Sequence, residues 1–268
     1  MTTLTLADVH ALHEKVRAER PLVHNITNFV AMNIAANVLL AAGASPAMVH
    51  SMDEVEDFGR IARALTLNIG TLSSDWIAGM KLAAAVYKAA GKPVVFDPVA
   101  VGATRLRNTA AADLVAMGPT VIRGNASEIM ALSGVAGLAS KGVDSSASSN
   151  AALDSAVALA RSSGAVVAVT GEIDYVTDGA RNIAITGGNE LRRLSTALGC
   201  SLTGLVGAFV AVAPAFEGTV AALAVYAAAG AIAGKRVKGP GFLPQELCDA
   251  LYALDLAGLE ANAAIRAA

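Results

Sequence analysis

The chain reads as an α/β protein: a mostly parallel central sheet, helices on both faces and an antiparallel hairpin at one edge. Three patterns predict this. Short apolar runs of strand length alternate with longer segments of helical period over most of the 268 residues. The short runs, such as VVF before Asp97 and AVVAV before Thr170, are apolar throughout, as strands covered on both faces must be. Two further runs flank Asp178-Gly179, a dipeptide that favours a tight hairpin turn.

The elements follow in order. Residues 6–19 read as a helix and 21–25 (PLVHN) as a strand ending in polar groups. Asn28 can cap a helix running to Leu40. A strand at 46–50 precedes a helix at 52–65, whose acidic first turn suits the helix dipole. A strand at 66–69 and a helix at 73–90, stopped by Gly91, come next. The strand at 93–96 runs into Asp97, and Pro98 breaks it. A helix at 106–116, a strand at 120–122 and a short helix at 127–132 follow. Residues 137–150, rich in Ser, Gly and Ala, read as a surface connection rather than a boundary, so one domain over 1–268 is expected. Beyond it lie a helix at 151–162, a strand at 165–170 and the hairpin strands at 174–177 and 181–186. The remainder, from the Gly199-Cys200 helix start onward, reads as helical.

Composition narrows the function classes. Hydrophobic residues make up 54% and charged residues 16%, enough for a sizeable core under a charge-poor surface. The net charge of −2, without basic runs, argues against nucleic acid or an anionic membrane surface as partner. Two cysteines without metal spacing suit a reducing cytoplasm. The first 20 residues read as an amphipathic helix and not a signal peptide. The Ala-rich segment 219–234 falls short of the ~20 residues of a membrane span.

In a parallel sheet, ligands bind at the carboxyl ends of the strands. Those ends carry His24 and Asn25, Met48 and His50, Asn68, Asp97, Arg123 and Asn125, and Thr170 and Glu172. Asp97 can hold Mg²⁺ or cap a loop. Glu128, one turn into a helix behind Asn125, suits a metal site or a capping box. Arg123 can clamp a phosphate through paired donors or form an ordinary ion pair. Thr170-Gly171 allows close approach by a nucleotide phosphate or marks a plain turn. Gly199 before a buried helix makes an anion site. Cys200, at that helix start, is expected to have a lowered thiol pKa.

Two phosphate motifs are excluded. Gly199 and Gly204 have Walker A spacing, but Leu205 occupies the lysine position, and no GxGxxG follows the first strand. Phosphoryl transfer stays attractive because it needs phosphate positioning, Mg²⁺ and an anion-stabilising pocket. Two other readings stand beside it. One is a cysteine-nucleophile hydrolase built on Cys200 with His24 or His50. The other is a non-catalytic nucleotide binder.

Together the segments PLVHNITNFVAMNIAANVLLAAGASPAMV, FDPVAVGAT, VIRGNASEI, VAVTGEIDYVTDG and GCSLTGLVGAF resemble the hydroxyethylthiazole kinases of the ribokinase-like superfamily. The match runs nearly end to end. It implies ATP-dependent phosphorylation of the hydroxyl of 4-methyl-5-(2-hydroxyethyl)thiazole, Mg²⁺ as cofactor, and a homotrimer with active sites between subunits. It also implies that Asn25 and Met48 line the thiazole pocket, that Arg123 and Thr170 bind ATP, and that Asp97 and Glu128 organise the metal. Gly199 and Cys200 match the anion hole, with cysteine where most of the superfamily has an aspartate. The family commonly reads GTGC where this chain has Ala197-Leu198-Gly199-Cys200. Ala197 thus replaces a substrate-contacting glycine, and its methyl opposes a positive φ.

Overall fold

The computed structural model describes residues 4–135 and 149–268, so most of the connection at 137–150 lies outside the described residues. In chain order the elements are α1 (Leu6–Glu19), β1 (Leu22–Ile26), α2 (Met32–Ala41), β2 (Ser45–Met48), α3 (Val55–Ile61), β3 (Ala64–Asn68) and α4 (Ser74–Ala89). Next come β4 (Val94–Asp97), α5 (Arg105–Ala116), β5 (Val121–Asn125), α6 (Ala126–Val135), α7 (Ser149–Ser163) and β6 (Val166–Thr170). The rest comprises β7 (Asp174–Thr177), β8 (Asn182–Gly187), α8 (Leu198–Val210), α9 (Ala215–Arg236), α10 (Leu243–Ala253), α11 (Leu256–Asn262) and β9 (Ala263–Ala267). Side chains set several of these boundaries. Thr5 and Asp8 form a capping box on α1, Ser73 caps α4 and Thr104 caps α5.

Among the described residues nine strands form one sheet, ordered β2-β1-β3-β4-β5-β6-β7-β8-β9. All neighbours from β2 to β6 pair in parallel, and those from β6 to β9 are antiparallel. One face packs against α1, α2 and α8 to α11, through residues such as Val9, Val38, Leu205, Val220, Leu247 and Leu259. The other packs against α3 to α7, through Val55, Met80, Leu114, Ile129 and Ala156. Helices apolar on all sides must be buried, and α8 and α9 are. α9 is long and apolar enough to cross a membrane, yet 78% of its apolar window is buried inside the fold.

Two expectations are corrected. The helix expected at 52–65 ends at Ile61, and residues 64 and 65 open β3. β3 is a central strand buried along its whole length, and pairing with β1 and β4 claims Ala64 and Leu65 for the sheet. The carboxyl end is not all helical. Residues 263–267 form β9, which pairs with β8 and becomes the edge, so the Asp178 hairpin lies one strand inside. Its composition is helix-compatible, and the open backbone of β8 outweighs that local preference.

Register then places the predicted chemistry. Asn25 stands beside Met48, Asn68 beside Asp97, and Asn125 beside Thr170. The carboxyl ends of six parallel strands therefore share one edge, and α8 begins above it.

Candidate active site

Asp97 sits at the centre of this edge, fully buried. Its Oδ2 accepts from Thr203 Oγ1 at 2.7 Å and from Asn68 Nδ2 at 2.8 Å. Arg123 Nη1 lies 3.5 Å from the same oxygen. Oδ1 has no hydrogen-bond partner among the described residues. Burial pushes the carboxyl up to about 6, even though the nearby Arg123 guanidinium opposes the rise; Glu128 adds to it.

Arg123 links this carboxylate to the next strand end. Its Nη2 donates to Thr170 Oγ1 at 2.5 Å. A Cβ built on Gly199 would stand 3.1 Å from both Arg123 amino nitrogens, so glycine there lets α8 begin directly against the guanidinium. Asp97, Arg123, Thr170 and Gly199 are thus brought together.

Glu128 occupies a different position. Its Oε2 accepts from the Asn125 N–H at 2.9 Å while Asn125 Oδ1 accepts from the Glu128 N–H at 2.9 Å, a reciprocal cap on α6. Its Oε1 accepts from the Ala100 N–H at 3.0 Å, tying the loop after β4 to α6. The capping alternative is therefore realised in full, and it leaves the carboxylate close enough to Asp97 to perturb it.

The turn into α8 is strained. Ala197 takes φ 63° and ψ 2°, the left-handed region, without a side-chain cap. A non-glycine residue there costs about 1 kcal/mol. Gly199 has an ordinary helical backbone, so the residue that needs glycine-like freedom is Ala197. Cys200 follows on the first turn. The lowered thiol pKa expected there is overturned: burial, with Asp97 adding, pushes the thiol up despite donors from Asn28 and Asn68. Desolvation at this depth is the largest cause, and the Arg123 charge opposes it only in part.

Asn25 Oδ1 accepts from Thr66 Oγ1 at 2.7 Å and its Nδ2 donates to the Val23 carbonyl at 2.9 Å. It faces Gly204 of α8, with Met48 as its strand neighbour. Neither histidine pairs with Cys200 among the described residues. His24 is buried, with ring nitrogens 2.8 Å from the Val49 carbonyl and 3.2 Å from Tyr87 Oη. His50 stacks on Trp76 at 4.2 Å. The hydrolase reading thus lacks its base.

A cleft of about 1010 Å³ opens beside Arg123, lined also by Thr170, Asp174, Arg192, Gly199 and Tyr226. A smaller hollow of about 570 Å³ lies past β1 to β3, between Phe29, His50, Met52 and Trp76. Sequence reasoning missed Asn28 except as a cap, and missed Thr203, Asp174 and Arg192 altogether. Thr203 carried a usable signal, three residues after Cys200 and hence on the same helical face.

The model of the Hydroxyethylthiazole kinase family matches residues 13–257. The chain belongs to this family. It is 56% identical over 255 residues to hydroxyethylthiazole kinase of Cereibacter sphaeroides, covering 95% of this chain and 97% of the relative. The structure of a hydroxyethylthiazole kinase protein from Pyrococcus horikoshii OT3 superposes with a TM-score of 0.91 at 40% identity, over 97% of this chain and 98% of that one. A ribokinase-like superfamily protein from Enterococcus faecalis V583 shares the fold, with TM-score 0.67 at 14% identity over 93% of each chain. The resemblance carried by the motif segments is therefore borne out, and so is the ribokinase-like α/β architecture.

Proposed function

We infer that this chain, acting as one kinase domain over residues 1–268, transfers the γ-phosphoryl group of ATP to the hydroxyl of 4-methyl-5-(2-hydroxyethyl)thiazole. Family membership and end-to-end similarity to named kinases support the reaction. One geometric observation carries the site assignment. Arg123 hydrogen-bonds Thr170, lies 3.5 Å from Asp97 and packs on Gly199, so a cation, a carboxylate and a helix N-terminus converge.

In this reading Arg123 and Thr170 hold the ATP phosphates, and Asn25, Met48 and Ala197 line the thiazole side. The substrate hydroxyl approaches the phosphate in front of Gly199 and Cys200. N–H groups at the start of α8 offset charge developing on the phosphoryl oxygens. Cys200, kept neutral by burial, positions the hydroxyl rather than acting as a strong base, and a loose transition state needs none.

Mg²⁺ fits the donor set. Asp97 Oδ1 is an orphaned buried carboxylate oxygen, the hard donor such a cation takes. Asp97, with Glu128 beside it, would hold the ion, which when bound neutralises charge on the transferring phosphate. We further infer a homotrimer acting in the cytoplasm, its active sites shared between subunits. Support comes from the exposed apolar Phe29, Val30 and Met52, of which Phe29 and Met52 line the smaller hollow.

Incubation with ATP, Mg²⁺ and the thiazole alcohol is expected to yield ADP and the thiazole phosphate in equal amounts. No phosphate ester above an enzyme-free control sinks the assignment. A light-scattering mass of one or two protomers sinks the trimer.

A further inference from the structure

The Asp97 cluster extends past the residues so far given roles, through two buried amides. Asn28 is 5% exposed and Asn68 2% exposed. Their orientations are set by backbone donors at the outer ends. Asn28 Oδ1 accepts from the Ala31 N–H at 2.9 Å, and Asn68 Oδ1 accepts from the Gly70 N–H at 2.9 Å. An amide whose oxygen is claimed by a backbone N–H must present its NH₂ on the other side. Asn68 Nδ2 accordingly donates to Asp97 Oδ2 at 2.8 Å. Asn28 Nδ2 donates to Asn68 Oδ1 at 2.8 Å and to Cys200 Sγ at 3.3 Å. The close fit requires Gly70, since a Cβ there would stand 2.6 Å from Asn28 Nδ2.

We propose that Asn28 is a positioning residue for phosphoryl transfer, holding the Cys200 sulfur through an N–H···S bond and tying it to Asp97 through Asn68. This rests on the kinase reading of the same site. The chain Cys200–Asn28–Asn68–Asp97 joins the acceptor side of the reaction to the phosphate side. Both Asn28 amide hydrogens are spent on it, so the sulfur is an acceptor on that side. Its proton is left for the substrate hydroxyl. A satisfied buried network of this kind holds one geometry, which suits a step that depends on alignment.

The decisive variant is Asn28→Asp, which keeps an acceptor for the Ala31 N–H but cannot donate to sulfur. Asn28→Ser, which also keeps an acceptor there but is too short to bridge, guards against a folding defect specific to the added charge. Expected for both is a fall in kcat of about 20-fold or more with KM for ATP changed less than about 3-fold. In a Cys200→Ala background, adding Asn28→Asp is expected to change kcat by less than about 2-fold, because the two residues act as one unit. Iodoacetamide labelling of Cys200, followed by peptide mass spectrometry with Cys248 as internal control, is expected to change rate by about 3-fold or more in both variants. Wild-type kcat in both variants, an equal further loss in the Cys200→Ala background, or unchanged labelling of Cys200 each overturns the proposal. If the wild-type chain shows no turnover, the kinase reading fails by itself, and the labelling comparison alone decides the Asn28–Cys200 link.

Discussion

The two sides of the candidate site are built on opposite principles. Around Asp97 the polar groups are dry and almost wholly consumed by one another: Thr203, Asn68 and Asn28 leave little besides Asp97 Oδ1 unspent. Around Arg123 and Arg192 the chain leaves an open cleft of about 1010 Å³, with charge facing it. A dry, saturated network cannot rearrange cheaply, so it sets alignment. An open cleft orders little in advance, and the arginines among its lining, Arg123, Arg192 and Arg193, offer donors to a polyanion beside the carboxylates of Glu172, Asp174 and Glu190. Under the proposed function, transfer geometry and nucleotide binding would fall on different sides of the site, and variants on each side should move different kinetic constants.

The largest expected effect is on the dry side. Asp97→Asn keeps the shape and removes the charge, and should lower kcat by about 100-fold or more in steady-state assays with Mg²⁺. A change within about 3-fold would break the contrast, because the network would then be only structural. On the open side Arg123→Ala should raise KM for ATP about 10-fold and lower kcat/KM about 30-fold, near 2 kcal/mol. If kcat alone falls, the two sides are not separable.

His13 tests what burial costs when a polar group is not well satisfied. It is fully buried and stacked on Phe209 of α8, and the Ala42 carbonyl near its ring is too poorly placed to complete a hydrogen bond. Burial, then the Arg17 charge, lowers its pKa from 6.5 to about 3. Between those values the unfolded chain binds the proton and the folded chain does not. Stability present above pH 6.5 is therefore lost as pH falls, by about 2 kcal/mol at pH 5. Chemical denaturation of His13→Leu at pH 5 and pH 7 should lack that component of the difference. The smallest effect belongs to the turn between the two sides. Ala197→Gly relieves the left-handed strain and should raise stability by up to about 1 kcal/mol, read as a small rise in Tm.

Much of this was legible beforehand. Asp97, Arg123 and Thr170 each end an apolar strand, and strand ends in a parallel sheet share an edge whatever the details of packing. The Asp178-Gly179 hairpin was equally local, because a two-residue turn carries its own signal. Residues whose role depends on remote partners were harder. Asn28 looked like a helix cap, but α2 begins four residues later with Ala31 as its N-cap; Asn28 instead closes the turn before it, and its other end reaches Cys200, 172 residues away. β9 was hidden for the same reason, since only the open edge of β8 turns a helix-compatible segment into a strand.

Composition and periodicity by themselves determined the α/β class and which polar residues end the strands, and the resemblance carried by several motifs gave the kinase family. All three follow from patterns of polarity within a few residues or from motifs in fixed order. The tertiary structure alone decided the state of the cysteine. A helix start lowers a thiol pKa and burial raises it, and which wins depends on how deeply the rest of the chain covers Cys200. Register likewise decided that Asn68 meets Asp97, because strand pairing is a relation between distant segments.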